Sequence, residues 1–216
     1  KRNWYRTNRI SAEFNLLYRW HSLTPDNITL DGETLGGDQF RFNNDLLQRI
    51  GVANTLADAG QQAAGKIGLK NTAPFLVDAD VAALQKSRGW KLRGYNDYRE
   101  AFGLPRLSTT LELTRDRDLA LQLDALYGGV DGIEMTIGLL AEARAPGAPL
   151  GELMRLMVGS DAFTQALTNP LLSSNIFGEQ AFTAVGLEAI EATSTIDDVG
   201  QRNLRLNGRK LSFHQP

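Results

Sequence analysis

The sequence predicts a mainly α-helical fold, and two observations carry that expectation. Leu (32) and Ala (23) make up about a quarter of the 216 residues, whereas Val (7) and Ile (9) are scarce. That bias favours helix formers over β-branched strand formers. Apolar residues also recur at three- and four-residue spacing in segment after segment, separated by Gly, Pro and Asn. At 42% apolar the chain can build a real core. There is no internal repeat, low-complexity tract or composition break, so one body is expected.

Taken in order, residues 6–23 place Ile10, Phe14, Leu17, Tyr18 and His21 on one face of a helix. Pro25 ends it, because the residue before a proline resists the α region. Residues 26–37 (DNITLDGETLGG) carry Asp-Gly and Gly-Gly turn signals and predict a short β-hairpin. Asp38 is placed to cap a helix over 39–50 that Gly51 ends, and a second helix over 53–67 stops at Gly68. Residues 78–88 follow with Asp78 as cap and Gly89 as stop. A short helix then starts at Asn96 and closes at Gly103 and Pro105. Helices are expected over 115–127, ended by Gly128-Gly129, and over 131–142. Pro149 opens one that runs to Gly159, and Ser160 caps another that stops at Asn169-Pro170. The last long helix covers 179–193, and the basic, turn-rich tail from Gly200 is expected to be irregular.

Composition narrows the function. With no cysteine the chain cannot carry a disulfide scaffold, a zinc finger, its own iron–sulfur cluster or a cysteine nucleophile. The two histidines, His21 and His214, leave little for a His-rich metal centre. A net charge of −2 argues against a nucleic-acid partner. No apolar run reaches membrane-spanning length. The absence of Cys favours a cytoplasmic protein or one in peripheral contact with a membrane. The chain opens on Lys1 without a signal-peptide pattern, so a processed product or a piece of a longer chain is expected.

Gly60-Gln61-Gln62-Ala63-Ala64-Gly65-Lys66-Ile67 imitates a phosphate-binding loop. It has Ile67 where Ser or Thr should follow the Lys, and a helical rather than strand-like segment before it. A small-residue helix packed closely on a neighbour explains it better. G-x-S-x-G, H-E-x-x-H and G-x-G-x-x-G are all missing. Asn27-Ile28-Thr29 fits a glycosylation sequon, a triplet common by chance.

Tyr18-Arg19-Trp20-His21 is the informative constellation. Three residues apart on a helix, Tyr18 and His21 are neighbours. A neutral imidazole is the usual protein ligand of haem iron in peroxidases, and a phenol one turn away could pass an electron or hydrogen atom. Spacing alone favours a core Tyr beside a hydrogen-bonded core His, because one histidine defines no metal site.

The surrounding residues resemble a known family. Asn8-Arg9-Ile10, Glu13-Phe14-Asn15, Leu17-Tyr18, Trp20-His21 and Pro25-Asp26 resemble the proximal-helix signature of cyclooxygenases and fungal fatty-acid dioxygenases, within the peroxidase–cyclooxygenase (animal haem peroxidase) superfamily. Gly94-Tyr95-Asn96, Tyr98-Arg99 and Phe102-Gly103-Leu104-Pro105 resemble the family segment whose Asn accepts the proton of the proximal His. Leu126-Tyr127-Gly128, Asp131, Gly138-Leu139-Leu140, Gly151-Glu152, Asn169-Pro170 and Phe177-Gly178 follow in family order.

The resemblance implies a helical haem-peroxidase-like fold and haem b as cofactor. In it His21 is the proximal iron ligand, Asn96 takes the Nδ1 hydrogen bond of His21, and Phe14, Leu17 and Trp20 lie against the haem. Tyr18 is the radical residue that removes a hydrogen atom from an unsaturated fatty acid before O2 adds. It also implies that residues 1–216 are the C-terminal, proximal part of the catalytic domain. The distal His would then come from an upstream segment or a partner chain. Two departures matter. Ala162 stands where cyclooxygenases have Ser, and Arg155 stands at a usually aliphatic position. Both speak against prostaglandin formation and leave simple hydroperoxide formation. A peroxidase using hydrogen peroxide, with Tyr18 as packing only, and a non-catalytic helical scaffold are the alternatives.

Overall fold

A computed structural model of the chain describes residues 10–213. In chain order the elements are α1 (Phe14–Leu17), a 3-10 turn (His21–Leu23), β1 (Asn27–Leu30), β2 (Glu33–Gly36), α2 (Gly37–Phe40), α3 (Asn44–Ile50) and α4 (Val52–Gly60). Then come α5 (Val77–Gly89), α6 (Tyr95–Ala101), α7 (Thr110–Thr114), α8 (Arg117–Tyr127), α9 (Met135–Ala141), α10 (Glu152–Leu167), α11 (Glu179–Glu191) and α12 (Ile196–Asn203). The fold is mainly α, with one two-stranded sheet among the described residues. No helix among them is long and apolar enough to cross a membrane.

Contacts divide the chain into two compact units, where composition shows no break. One holds the residues up to Thr24 together with Gly65–Asn169; the other holds Pro25–Ala64 and the residues from Pro170 onward.

In the second unit the hairpin forms where the turn signals put it. β1 pairs antiparallel with β2 in the register Asn27↔Gly36 to Leu30↔Glu33. Asp31 and Gly32 both adopt positive φ (51° and 79°), the geometry of a two-residue turn matched to strand twist. Leu30 and Leu35 pack on Leu46 and Ile50 of α3. The Gln62 side chain bonds both the amide and the carbonyl of Thr29 at 2.7 Å.

The first unit holds the larger core, built from residues such as Leu17, Tyr95, Leu113, Ile133, Leu139 and Met157. α6 and α9 meet at Gly138, where a Cβ would overlap the Tyr95 ring. Beside that contact Tyr95 Oη donates to Glu142 Oε1 at 2.7 Å. Glu142 also accepts from the amides of Leu153 (2.8 Å) and Met154 (3.2 Å), so a buried carboxylate closes the start of α10. Burial pushes the Glu142 carboxyl above its ordinary value, against the pull of these donors.

Several elements differ from the sequence reading. The helix expected over 6–23 is, among the described residues, only α1 and the 3-10 turn. Tyr18 (φ −99°, ψ 18°) and Trp20 (φ −100°, ψ 52°) interrupt it. The single helix over 39–50 is α2 and α3, because Phe42 takes positive φ (58°) and Asn43 caps α3 by accepting from the Leu46 amide. The helix over 53–67 stops at Gly60. The Gly65 amide donates to Leu23 O at 2.8 Å, and a Cβ there would overlap the Ser22 carbonyl. Close backbone approach, not phosphate binding, accounts for the loop-like motif at that glycine. α7, capped by a Thr109–Glu112 box, was not expected. The two helices expected over 149–169 are the single α10. Met154, Met157 and Thr164 are buried on one of its faces, and that packing carries the helix through Gly159 and Ser160. α12, also box-capped, reaches into the tail expected to be irregular.

Candidate functional site

The residues around Tyr18 and His21 all belong to the first unit. Both side chains end on carboxylates, one on α5 and one on α10. His21 Nδ1 lies 2.6 Å from Asp80 Oδ1 on α5. Asp80 is held from its other oxygen by Thr72, whose hydroxyl donates to Oδ2 at 2.5 Å. Ionised carboxylates only accept, so Nδ1 carries the hydrogen and Nε2 keeps its lone pair in the neutral ring. Nε2 has no hydrogen-bond partner among the described residues, and the His21 side chain is 22% exposed.

Tyr18 Oη donates to Asp161 Oδ2 at 3.0 Å, and Gln165, one turn further along α10, donates to the same oxygen at 3.3 Å. Burial, then the hydrogen bond and charge of Asp161, push the Tyr18 phenol up to about 12. Neutral side chains three apart on a continuous helix share one face. Here the chain breaks at Tyr18–Trp20, and position 21 reaches α5 while position 18 reaches α10.

Phe14 and Trp20 flank Tyr18, with ring centroids 5.0 Å and 5.5 Å from its own. Leu17 is buried in the core below them. Trp20 and Asp80 also line a cavity of about 210 Å³ whose wall is largely aliphatic, including Leu17, Leu69, Leu84 and Ile137. The Trp20 indole N–H and the Thr136 hydroxyl, both from residues lining this cavity, are buried without a partner among the described residues.

Asn96 requires a correction. It was expected to accept from His21 Nδ1, but that nitrogen faces Asp80. Asn96 is 1% exposed, and its Nδ2 donates to Leu107 O (2.9 Å) and Asp131 Oδ1 (2.8 Å). Its Oδ1 accepts from the Leu107 amide at 2.9 Å. With both donors committed, the carboxamide staples the loop after α6 to Asp131. It is not the starting cap of α6 either, since Gly94 holds that place. Asn8, Arg9 and His214 lie outside the described residues.

Asp80, Thr72 and Asp161 are the residues that sequence reasoning missed. Asp80 reads as an ordinary first-turn acid of α5, and nothing in the local pattern links it to His21. Asp161 had a faint signal: with Met154, Met157 and Thr164 it follows the spacing of one helix face, a lone acid on an apolar stripe. No group of three or more potential metal-ligating side chains occurs among the described residues.

The sequence profile of the family described as animal haem peroxidase matches residues 8–209. The chain belongs to the animal haem peroxidase family. Within that family it is 34% identical to prostaglandin G/H synthase 2 of Oryctolagus cuniculus over 189 residues, which is 87% of this chain and 31% of the relative. The crystal structure of Oryza sativa fatty acid alpha-dioxygenase superposes with a TM-score of 0.80 at 25% identity, covering 90% of this chain and 37% of that one. The fold of Arabidopsis thaliana fatty acid alpha-dioxygenase matches with a TM-score of 0.83 at 22% identity, over 96% of this chain and 39% of that one. This animal haem peroxidase chain thus spans about a third of the length of the curated relatives it matches.

Proposed function

We propose that the chain is the proximal, C-terminal part of a haem-dependent dioxygenase that converts unsaturated fatty acids to hydroperoxides. One observation carries the reading: a tyrosine hydrogen-bonded to a carboxylate stands three residues from an imidazole whose Nδ1 is committed to a second carboxylate. The similarity to prostaglandin G/H synthase 2 and to a fatty acid alpha-dioxygenase supports the branch.

The donor chemistry fits haem b. His21 would offer Nε2 to the iron, with Asp80 fixing the ring's tautomer and orientation through Nδ1, as an outer carboxylate does for a metal-bound histidine. Thr72 in turn holds Asp80. Phe14, Leu17 and Trp20 supply the apolar surroundings. When bound, haem supplies one-electron oxidising equivalents. Tyr18, once oxidised, takes a hydrogen atom from an activated C–H of the acyl chain, and O2 adds to the carbon radical. The distal His comes from an upstream segment or a partner chain in this reading.

The test is Tyr18→Phe in the assembled holoprotein. The change deletes one hydroxyl and keeps the ring that packs between Phe14 and Trp20. Oxygen uptake with linoleate should be lost while the haem Soret band and peroxide turnover persist. Uptake near the wild-type rate would rule out the radical role.

The Asp80–His21 pair also favours a second reading, a peroxidase. An imidazole held by a carboxylate would be a stronger donor to a haem iron, which suits peroxide chemistry and needs no fatty acid. Dye oxidation by peroxide that proceeds without oxygen uptake would select it.

A further inference from the structure

Asp161 is given no chemical step in the proposed function, yet among the described residues it is the group that holds the reacting atom of Tyr18. Its Oδ2 lies 3.0 Å from Tyr18 Oη, and Gln165 Nε2 reaches the same oxygen from one turn along α10. Asp161 also supplies the charge that the phenol experiences. A phenol in this setting cannot lose an electron alone. The phenol radical cation is a strong acid, and an acceptor-only carboxylate at hydrogen-bond distance is the group placed to receive its proton. The helix also gives the acceptor a fixed position, because Met154, Met157 and Thr164 bury the same face of α10.

We propose that Asp161 accepts the phenolic proton of Tyr18 when that residue is oxidised, so that Tyr18 works as a neutral phenoxyl radical. The inference rests on the role given to Tyr18 above. The step balances as follows. One electron leaves the phenol for a metal-centred one-electron oxidant, the Tyr18 O–H bond breaks, and a new O–H bond forms on Asp161 Oδ2. When the phenoxyl radical later takes a hydrogen atom, the substrate C–H bond breaks and the Tyr18 O–H bond re-forms. Asp161, which is only partly buried, then returns its proton to solvent.

The test needs neither haem nor fatty acid. The chain is oxidised by a flash-generated ruthenium(III) polypyridyl complex, and difference infrared spectra are recorded with Tyr18→Phe as the blank for the other tyrosines. The carbonyl stretch of a neutral carboxylic acid should appear with the Tyr18 radical, about one per radical, and shift in D2O. Asp161→Asn should remove the band and slow radical formation at least about tenfold, and Asp161→Glu should restore both. In a chain carrying a fluorinated tyrosine at position 18, Asp161→Asn should also lower that phenol's pKa by about one unit, a tenfold change in proton affinity. A radical at position 18 without the carboxyl band overturns the proposal, and so does no radical there. These spectra are independent of turnover. If the band appears but Tyr18→Phe leaves oxygen uptake intact, the dioxygenase reading fails and the proton-accepting pair stands.

Discussion

Tyr95→Phe removes one oxygen from a buried hydrogen bond in the core of the first unit, and its cost can be worked from the contacts. Tyr95 is 0% and Glu142 8% exposed, so water does not replace the lost hydroxyl. Glu142 keeps its two backbone donors and loses one of three. Arg99 Nη1 loses a longer contact of 3.3 Å to the same hydroxyl. A hydrogen bond to a charged group contributes about 1.5–3 kcal/mol, which puts the expected loss near 2 kcal/mol. With a urea m-value of about 2 kcal/mol/M, the unfolding midpoint should fall by about 1 M, read by far-UV circular dichroism at neutral pH. The pH dependence has a definite sign. The folded pKa of Glu142 is raised above its ordinary 4.5, so its contribution to stability is fully present below the unfolded value and fades as pH rises through the folded value. The Tyr95 bond opposes that rise by favouring the ionised form. Its removal should therefore cost most at neutral pH and less in acid, where Glu142 is protonated and only a neutral hydrogen bond is missing. A midpoint unchanged at neutral pH, or a penalty that grows in acid, would refute the reasoning.

Other perturbations test the remaining links. His21→Ala should abolish stoichiometric haem binding in the assembled protein, and a normal Soret band in that variant would remove His21 as the ligand. Asp80→Ala frees Nδ1 of His21 and orphans the Thr72 hydroxyl; haem affinity measured by titration should fall about 10–100-fold, and an unchanged affinity would make the pair purely structural. Gly138→Ala places a Cβ 2.5 Å from Tyr95 Cβ and into its ring, and Tyr95 cannot retreat because its amide is bonded to Ile133 O. The expected loss is about 1–3 kcal/mol in thermal or urea unfolding, and wild-type stability would show that α9 can slide on α6.

Much of the fold was determined by the sequence alone, because the signals involved are local. The Leu- and Ala-rich composition, the Asp31-Gly32 turn of the hairpin and the stops at Gly51 and Gly128 act through the backbone freedom and propensity of the residues themselves. His21 and Tyr18 stand out in the sequence for the same reason, since their spacing and flanking motif lie within one short segment. What the two side chains bond to was decided only in three dimensions. Asp80 lies 59 residues from His21, and Asp161 lies 143 residues from Tyr18. No period or cap connects positions so far apart. Among the described residues the expected helix breaks between the two side chains, which bond to different helices. Asn96 illustrates the converse. Its place in a family-like motif suggested a partner, but the carboxamide is satisfied by Leu107 and Asp131, and a buried group takes the donors and acceptors that packing puts within reach.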